Sequence, residues 1–294
     1  MTARLCLLVN PSAGKGRAAK AADAAVARLR AGGLDVTASS GRDAADAERI
    51  AAEAVAGGFD ALVAVGGDGM VNVALQAVAG TGVPLGIVPA GTGNDLAVNL
   101  GLPTGDPHAA ADVVIDRLTA GRPRTVDAVR AADRWFGCVL GAGFDSRVND
   151  RANRMSWPRG KRRYDVAILA ELRVFRPLPF TITVDDETWE TEAMLVAVGN
   201  AGSYGAGMRV CPDADLADGL LDVMVLGPVS KPEFLRTFPK VYKGTHIGHP
   251  AVRTARGRVV TLRSPGVTAY ADGEYLADLP VTCECIPGAL QVLA

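Results

Sequence analysis

The chain has few aromatic residues, three histidines, almost no net charge and no long apolar run, and each shortage excludes something. A formal net charge of -1 argues against a broad nucleic-acid-binding surface, so no nucleic acid is expected and only local basic patches remain as candidates for acidic partners. No segment approaches the roughly 18 uninterrupted apolar residues of a spanning helix. The N-terminal apolar stretch covers only residues 5–9, too short for a secretory leader, so a soluble or membrane-peripheral cytosolic protein is expected. The cysteines (Cys6, Cys138, Cys211, Cys283 and Cys285) are odd in number and lack the paired spacings of zinc sites, which points to reduced, buried thiols. His246 and His249 have no third ligand nearby and read as surface residues.

Alanine and glycine are abundant, and hydrophobic residues, glycine not counted, make up 49% of the chain, so the protein should be globular. Its 294 residues favour two domains. The first part alternates two patterns. "RLCLLVN" (4–10), "LDVTASS" (34–40), "ALVAVGG" (61–67) and "VPLGIVPAG" (83–91) read as strands. Between them lie helical segments over 18–33, 43–58 and about 70–79, the second opened by Asp43 as N-cap. Repeated βα units predict an α/β domain with an open, mostly parallel sheet, assigned to residues 1–124. From 125 to 294 a β-rich, antiparallel, sandwich-like domain is expected, with helical pieces over 145–175 and 231–243.

Three glycine-rich loops follow strands of the first domain: "NPSAGKG" (10–16), "GGDGMVN" (66–72) and "PAGTGND" (89–95). Parallel strands end on one edge of their sheet, so these loops should converge there. Glycines let a ligand approach the backbone, and helix N-termini favour negative charge, so the edge is a candidate polyanion site. Neither the P-loop nor the dinucleotide pattern is met. Lys15 and Arg17 read equally well as a solvated pair or as phosphate contacts.

"LLVNPSAGKGRA", "VAVGGDGMVN" and "PLGIVPAGTGND", in this order and spacing, resemble the diacylglycerol kinase catalytic family, bacterial lipid kinases that also resemble sphingosine and ceramide kinases. "FGCVLGAGFDS" (136–146), "CPDADLADGLLDV" (211–223) and "YADGEYL" (270–276) resemble later blocks of the same family. The resemblance implies an ATP- and Mg²⁺-dependent transfer of the γ-phosphate to the hydroxyl of a lipid alcohol, diacylglycerol first, in a cleft between the two domains. A sphingoid base, ceramide or another lipid alcohol is the alternative acceptor. A soluble kinase of NAD or a sugar phosphate, and a catalytically inactive lipid-binding regulator, are more distant readings.

By the same resemblance, ATP is held by Asn10, Pro11, Ser12, Ala13 and Gly14, by Gly66, Gly67, Asp68, Gly69, Met70, Val71 and Asn72, and by Thr92, with Ser39 joining from the second strand. Met70 stands where the family commonly has threonine. Glu274 is implied as general base, with Asp68 orienting metal or its waters. Asp95 and Asp127 are implied around a catalytic magnesium. A structural magnesium is implied at the Asp218 side chain and the carbonyls of Asp215 and Leu220.

Residues 147–163 concentrate Arg147, Arg151, Arg154, Arg159, Lys161, Arg162 and Arg163 around Trp157. A basic cluster beside an interfacial tryptophan suits an anionic membrane surface, at the inner face of the membrane for a cytosolic protein. Ile168, Leu169, Leu172 and Phe175 fall on one helical face that reads as core. A homodimer is compatible with the sequence, which does not decide the oligomeric state.

Overall fold

The structure, a computed structural model, describes residues 2–10, 16–155, 157–158, 161–205 and 207–294. It divides into two compact units, Met1–Ala128 with Ile286–Ala294, and Val129–Cys285.

The first unit contains β1 (Arg4–Val9), α1 (Arg17–Ala31), β2 (Asp35–Ser39), α2 (Ala44–Ala56), β3 (Ala61–Gly66), α3 (Asp68–Val78), β4 (Leu85–Pro89), α4 (Asp95–Asn99), α5 (Pro107–Thr119) and the first part of β5 (Arg124–Ala131). Strands pair in the order β2-β1-β3-β4, all parallel. Side chains alternate across a strand. Leu5, Leu7, Val63 and Val65 therefore share one core with Ala25 and Leu29 of α1 and Ala110 and Val114 of α5. The opposite face, also buried, carries α2 and α3. Strands buried on both faces explain the uninterrupted apolar runs. Asp43 caps α2 by accepting from the Asp46 N–H.

The last nine residues return to this unit. Val292 pairs with Leu85 in parallel, and the Leu293 N–H donates to the Leu85 carbonyl. Buried Asp127 accepts the Gly288 N–H at 2.8 Å, where Gly288 turns with φ 67°. A single unit spanning 125–294 thus differs from the structure in two places. The sheet of the first unit takes its next parallel neighbour for β4 from the chain end, and Arg124–Ala128 goes with it.

The second unit holds β6 (Arg134–Phe136), β7 (Val139–Gly143), α6 (Phe144–Arg154), α7 (Lys161–Val174), β8 (Leu178–Val184), β9 (Glu187–Ala193), β10 (Leu195–Gly199), β11 (Leu221–Leu226), α8 (Lys231–Val241), β12 (Val252–Gly257), β13 (Val259–Arg263), β14 (Thr268–Ala271), β15 (Glu274–Asp278) and the first part of β16 (Val281–Val292). One antiparallel sheet runs β12-β11-β10-β7-β14-β15. The other places β13 between β8 and β16, with β9 beyond β8. Alternating apolar residues from both, among them Leu140, Phe180, Val196, Val223 and Leu262, form one core, as in a sandwich.

A smaller core of Phe144, Val148, Leu172, Phe175 and Phe234 joins α6, α7 and α8. Leu169 departs from the expected core face: Leu172 and Phe175 are buried, but Leu169 is 60% exposed, one helical step round from Ile168. The described cysteines are all free and buried. Among the described residues no helix is long and apolar enough to cross a membrane.

Candidate active site

At the edge of the first unit, Val9 lies opposite Val65 and Gly66 opposite Pro89. The segments that follow β1, β3 and β4 therefore leave from one place. Ser39, opposite Leu8 at the end of β2, stands at the same edge. Asn10 is exposed there. Pro11, Ser12, Ala13, Gly14 and Lys15 lie outside the described residues.

The second and third loops are fastened to each other. Asp68, the first residue of α3, sends its carboxylate across to the third loop rather than to its own helix. Oδ2 accepts the Asn94 N–H at 2.9 Å and Oδ1 accepts the Asp95 N–H at 2.5 Å, so Asp68 serves the N-terminus of α4. Asn94, held at φ 57°, accepts the Gly91 N–H on its Oδ1 at 2.9 Å and closes the loop on itself. Glycine is required where the two backbones touch. A Cβ on Gly67 would stand 3.1 Å from Gly91 Cα, and one on Gly93 2.6 Å from Asp68 Oδ2.

The other expected ligand residues divide by exposure. Gly69 and Thr92 are exposed, Met70 is half-buried, and Val71 and Asn72 are buried on α3. Met70 sits over the strand end, where a Cβ on Gly66 would meet its Cβ at 2.9 Å. Asp127 faces inward to Gly288, as described above.

In the second unit Glu274 is exposed at the start of β15. Its hairpin turns through Asp272 (φ 50°) and Gly273 (φ 84°), the pair of positive φ angles typical of an Asp-Gly type I′ turn. The Asp272 carboxylate takes three backbone N–H groups, from Gly137 at 2.7 Å, Cys138 at 2.9 Å and Val139 at 3.1 Å. Asn200 holds the same segment through the Gly137 carbonyl at 2.8 Å. Asp272 and Asn200 were missed in the sequence. "ADGE" announces the turn, but not the strand that its aspartate grips.

Beside this hairpin, Tyr270 stacks edge-on against Tyr275 at 6.1 Å. Burial pushes the Tyr270 phenol up, Asp150 adds to the rise, and Arg154 opposes it. Asp145, the second residue of α6, has its carboxyl enclosed although the residue as a whole is half-buried. That desolvation raises it to about 6, against a hydrogen bond from Tyr204.

In segment 213–222, the Asp215 carboxylate accepts the Ala217 N–H at 3.0 Å and Asp218 accepts the Leu220 N–H at 3.0 Å. The second Asp218 oxygen takes the Arg256 guanidinium. Among the described residues no group of three or more His, Cys, Asp or Glu is arranged to hold a metal ion. His246 corrects its surface reading: it is buried, with Nε2 3.1 Å from the Val210 carbonyl.

The basic segment is partly committed to partners within the unit, some of them at its surface. Arg151 pairs with buried Glu171 at 2.5 Å, Arg154 with Asp150 at 2.9 Å, and Arg147 lies over the Phe175 ring. Arg162 is exposed and Trp157 is 80% exposed, while Arg159 lies outside the described residues.

The diacylglycerol kinase catalytic domain model matches residues 4–131, and the YegS C-terminal NAD kinase beta sandwich-like domain model matches residues 138–294. A Mycobacterium tuberculosis protein named diacylglycerol kinase is 48% identical over 296 residues, covering 99% of this chain and 94% of the relative. The chain belongs to the bacterial diacylglycerol kinase family. Other members of this lipid kinase family are a Bacillus subtilis diacylglycerol kinase, 30% identical over 73% of this chain and 71% of the relative, and a Stenotrophomonas maltophilia protein named probable lipid kinase YegS-like, 30% identical over 77% and 76%. A crystal structure of a Bacillus anthracis diacylglycerol kinase shares the fold, with TM-score 0.75 at 22% identity over 99% of this chain and 96% of that one. The chain is thus a lipid kinase with the family's two-part architecture.

Proposed function

We propose that this lipid kinase transfers the γ-phosphate of ATP to the hydroxyl of diacylglycerol, giving phosphatidic acid and ADP. The observation that carries the reading is the Asp68 clamp. It joins two glycine-rich loops at the edge where parallel strands end, in a chain of this family. Loops closed on each other by Asp68 and Asn94 present backbone donors in fixed positions, which is what a triphosphate requires.

ATP enters as its magnesium complex, and the ion is part of that substrate. Asn10, Ser39, the segment Gly66–Asn72 and Thr92 are proposed to hold the nucleotide, with Pro11–Gly14 completing the edge. Asp68, whose two oxygens keep lone pairs beyond those used in the clamp, and Asp95 would hold the magnesium of the bound triphosphate. Asp127 is engaged by the Gly288 N–H, on the part of the chain that enters β16 from the opposite end of β4.

Glu274 is proposed as the general base. The lipid hydroxyl oxygen attacks the γ-phosphorus, the bond to the β-phosphate oxygen breaks, ADP leaves, and the hydroxyl proton passes to the Glu274 carboxylate. Asp272 fixes the turn from which Glu274 projects.

The lipid is reached at an anionic membrane surface, the inner face in a cell. The outward residues for this are Trp157 and Arg162, with Val166, Leu169 and Val174 of α7. Arg147 and Arg151 are engaged within the unit, while Arg154 pairs with Asp150 at the surface and stays largely exposed.

The name of the Stenotrophomonas relative, lipid kinase without a stated lipid, favours testing other acceptors. The experiment is an ATP and Mg²⁺ assay in mixed micelles over diacylglycerol, ceramide, a sphingoid base and monoacylglycerol. Diacylglycerol should be the preferred acceptor. A preference for another lipid alcohol overturns the substrate, and phosphorylation of none of them overturns the reading.

A further inference from the structure

Segment 213–222 carries Asp213, Asp215, Asp218 and Asp222, and the family resemblance implies a structural magnesium there. The residues present do not fit that ion. Magnesium demands near-octahedral oxygen ligands at short range. The one side chain implied as ligand, Asp218, already has both oxygens engaged, Oδ1 by the Leu220 N–H at 3.0 Å and Oδ2 by Arg256 Nη2. The Asp215 carboxylate is turned to the Ala217 N–H. A permanently charged guanidinium on the ligand oxygen takes up one of its lone pairs and, unlike the neutral N–H donors at Asp68, repels a dication.

We propose that Arg256 takes over the work of the structural metal, latching segment 213–222 to strand β12 so that this unit needs no divalent cation to hold its shape. The register makes this possible. Arg256 lies directly opposite Asp222 in the β11–β12 ladder, so the two side chains emerge on one face of adjacent strands. From there the guanidinium divides its donors, Nε to Asp222 Oδ2 at 3.1 Å and Nη2 to Asp218 Oδ2.

A planar fork with separate nitrogens suits two carboxylates held at different points of the chain, which lysine could not reproduce. Both acids are partly shielded from water, with side-chain exposures of 29% for Asp218 and 14% for Asp222. Without a cation their mutual repulsion would open the loop. Arg256, always charged, offsets one of the two negative charges and bridges both acids at any metal concentration.

The test uses the full chain without nucleotide. Thermal unfolding is followed in chelator and in millimolar Mg²⁺ at constant ionic strength, for the wild type and D218N, and Mn²⁺ binding is read by its spin resonance. The wild type should melt at the same temperature in both solutions, and any Mn²⁺ it binds should be bound equally by D218N. A saturable rise in wild-type Tm, or a bound Mn²⁺, that D218N abolishes overturns the proposal. In chelator, R256A should lower Tm, and D218N added to R256A should lower it no further, whereas fully additive losses contradict the latch. Should R256A not fold, R256K keeps the charge without the fork and serves in the same cycle, with the same two outcomes.

Discussion

Asp68 Oδ1 accepts the backbone N–H of Asp95 at 2.5 Å, joining residues 27 apart in the chain. A carboxylate at the head of one helix thereby caps another, and the two loops around it share a geometry that neither could hold alone. Its acid is thus part of the scaffold before it meets any phosphate.

Replacing that carboxylate tests both roles. Asp68→Asn turns one acceptor into a donor facing backbone N–H groups, and should cost about 1–3 kcal/mol by urea unfolding, the range for a partly buried charged hydrogen bond. Kinase activity should fall further than this destabilisation explains. Unchanged stability would mean that the clamp does not form in solution.

The close approach of Gly67 and Gly91 predicts a steric effect. Gly91→Ala would drive its Cβ into Gly67 Cα and to 2.8 Å from Asn94 Oδ1. It should destabilise by roughly 1–3 kcal/mol and weaken nucleotide binding. Gly248→Ala, with nothing within 4 Å of the added carbon, is the control and should leave the urea midpoint unchanged.

Asp145 predicts a pH dependence. Its folded value, about 6, lies above the ordinary aspartate value of 3.8, because burial disfavours the charged form. The stabilising contribution is complete below the unfolded value and is lost as pH rises through the folded one. Relative to Asp145→Asn, the wild type should lose up to about 3 kcal/mol of unfolding free energy between roughly pH 4 and 7, at about 1.36 kcal/mol for each pH unit between the unfolded and folded values. Parallel stability profiles for the two proteins would contradict the raised value.

Membrane docking predicts graded losses. Trp157→Ala and Leu169→Asp should each reduce sedimentation with anionic vesicles several-fold, and Arg162→Glu should weaken it at low salt and make it less salt-dependent, at about 1 kcal/mol per near-surface charge. Arg151→Ala should instead lower stability, since it leaves buried Glu171 without its partner. Equal vesicle binding by all these variants would remove the docking face.

Much of the fold was legible because period and punctuation agree locally. Leu5–Val9 and Ala61–Val65 are uninterrupted apolar strands closed by glycine or asparagine, and Asp43 caps its helix as its position suggests. The return of Ile286–Ala294 to the first unit was not legible, since a strand's partner is set by tertiary packing and β16 begins in the other unit. His246 and Leu169 misled for a related reason. A polar ring can be buried on one carbonyl, and a residue at the margin of an apolar stripe can face water.

At the site, loop glycines and acids could be picked out by type, but their partners could not. Nothing near Asp68 in sequence indicates Asn94, and nothing near Asp272 indicates Gly137. Arg256 was hidden likewise, because its pairing with Asp222 depends on strand register.

The central claim is tested most directly by ATP-dependent phosphorylation of diacylglycerol in mixed micelles, comparing the wild type with Glu274→Gln. The account predicts phosphatidic acid from the wild type and a fall in kcat of about 10²–10⁴-fold in the variant, the usual contribution of a general base, with little change in the KM for ATP. Full activity in Glu274→Gln would contradict the assignment of the base, and a wild type that phosphorylates no lipid alcohol would contradict the account as a whole.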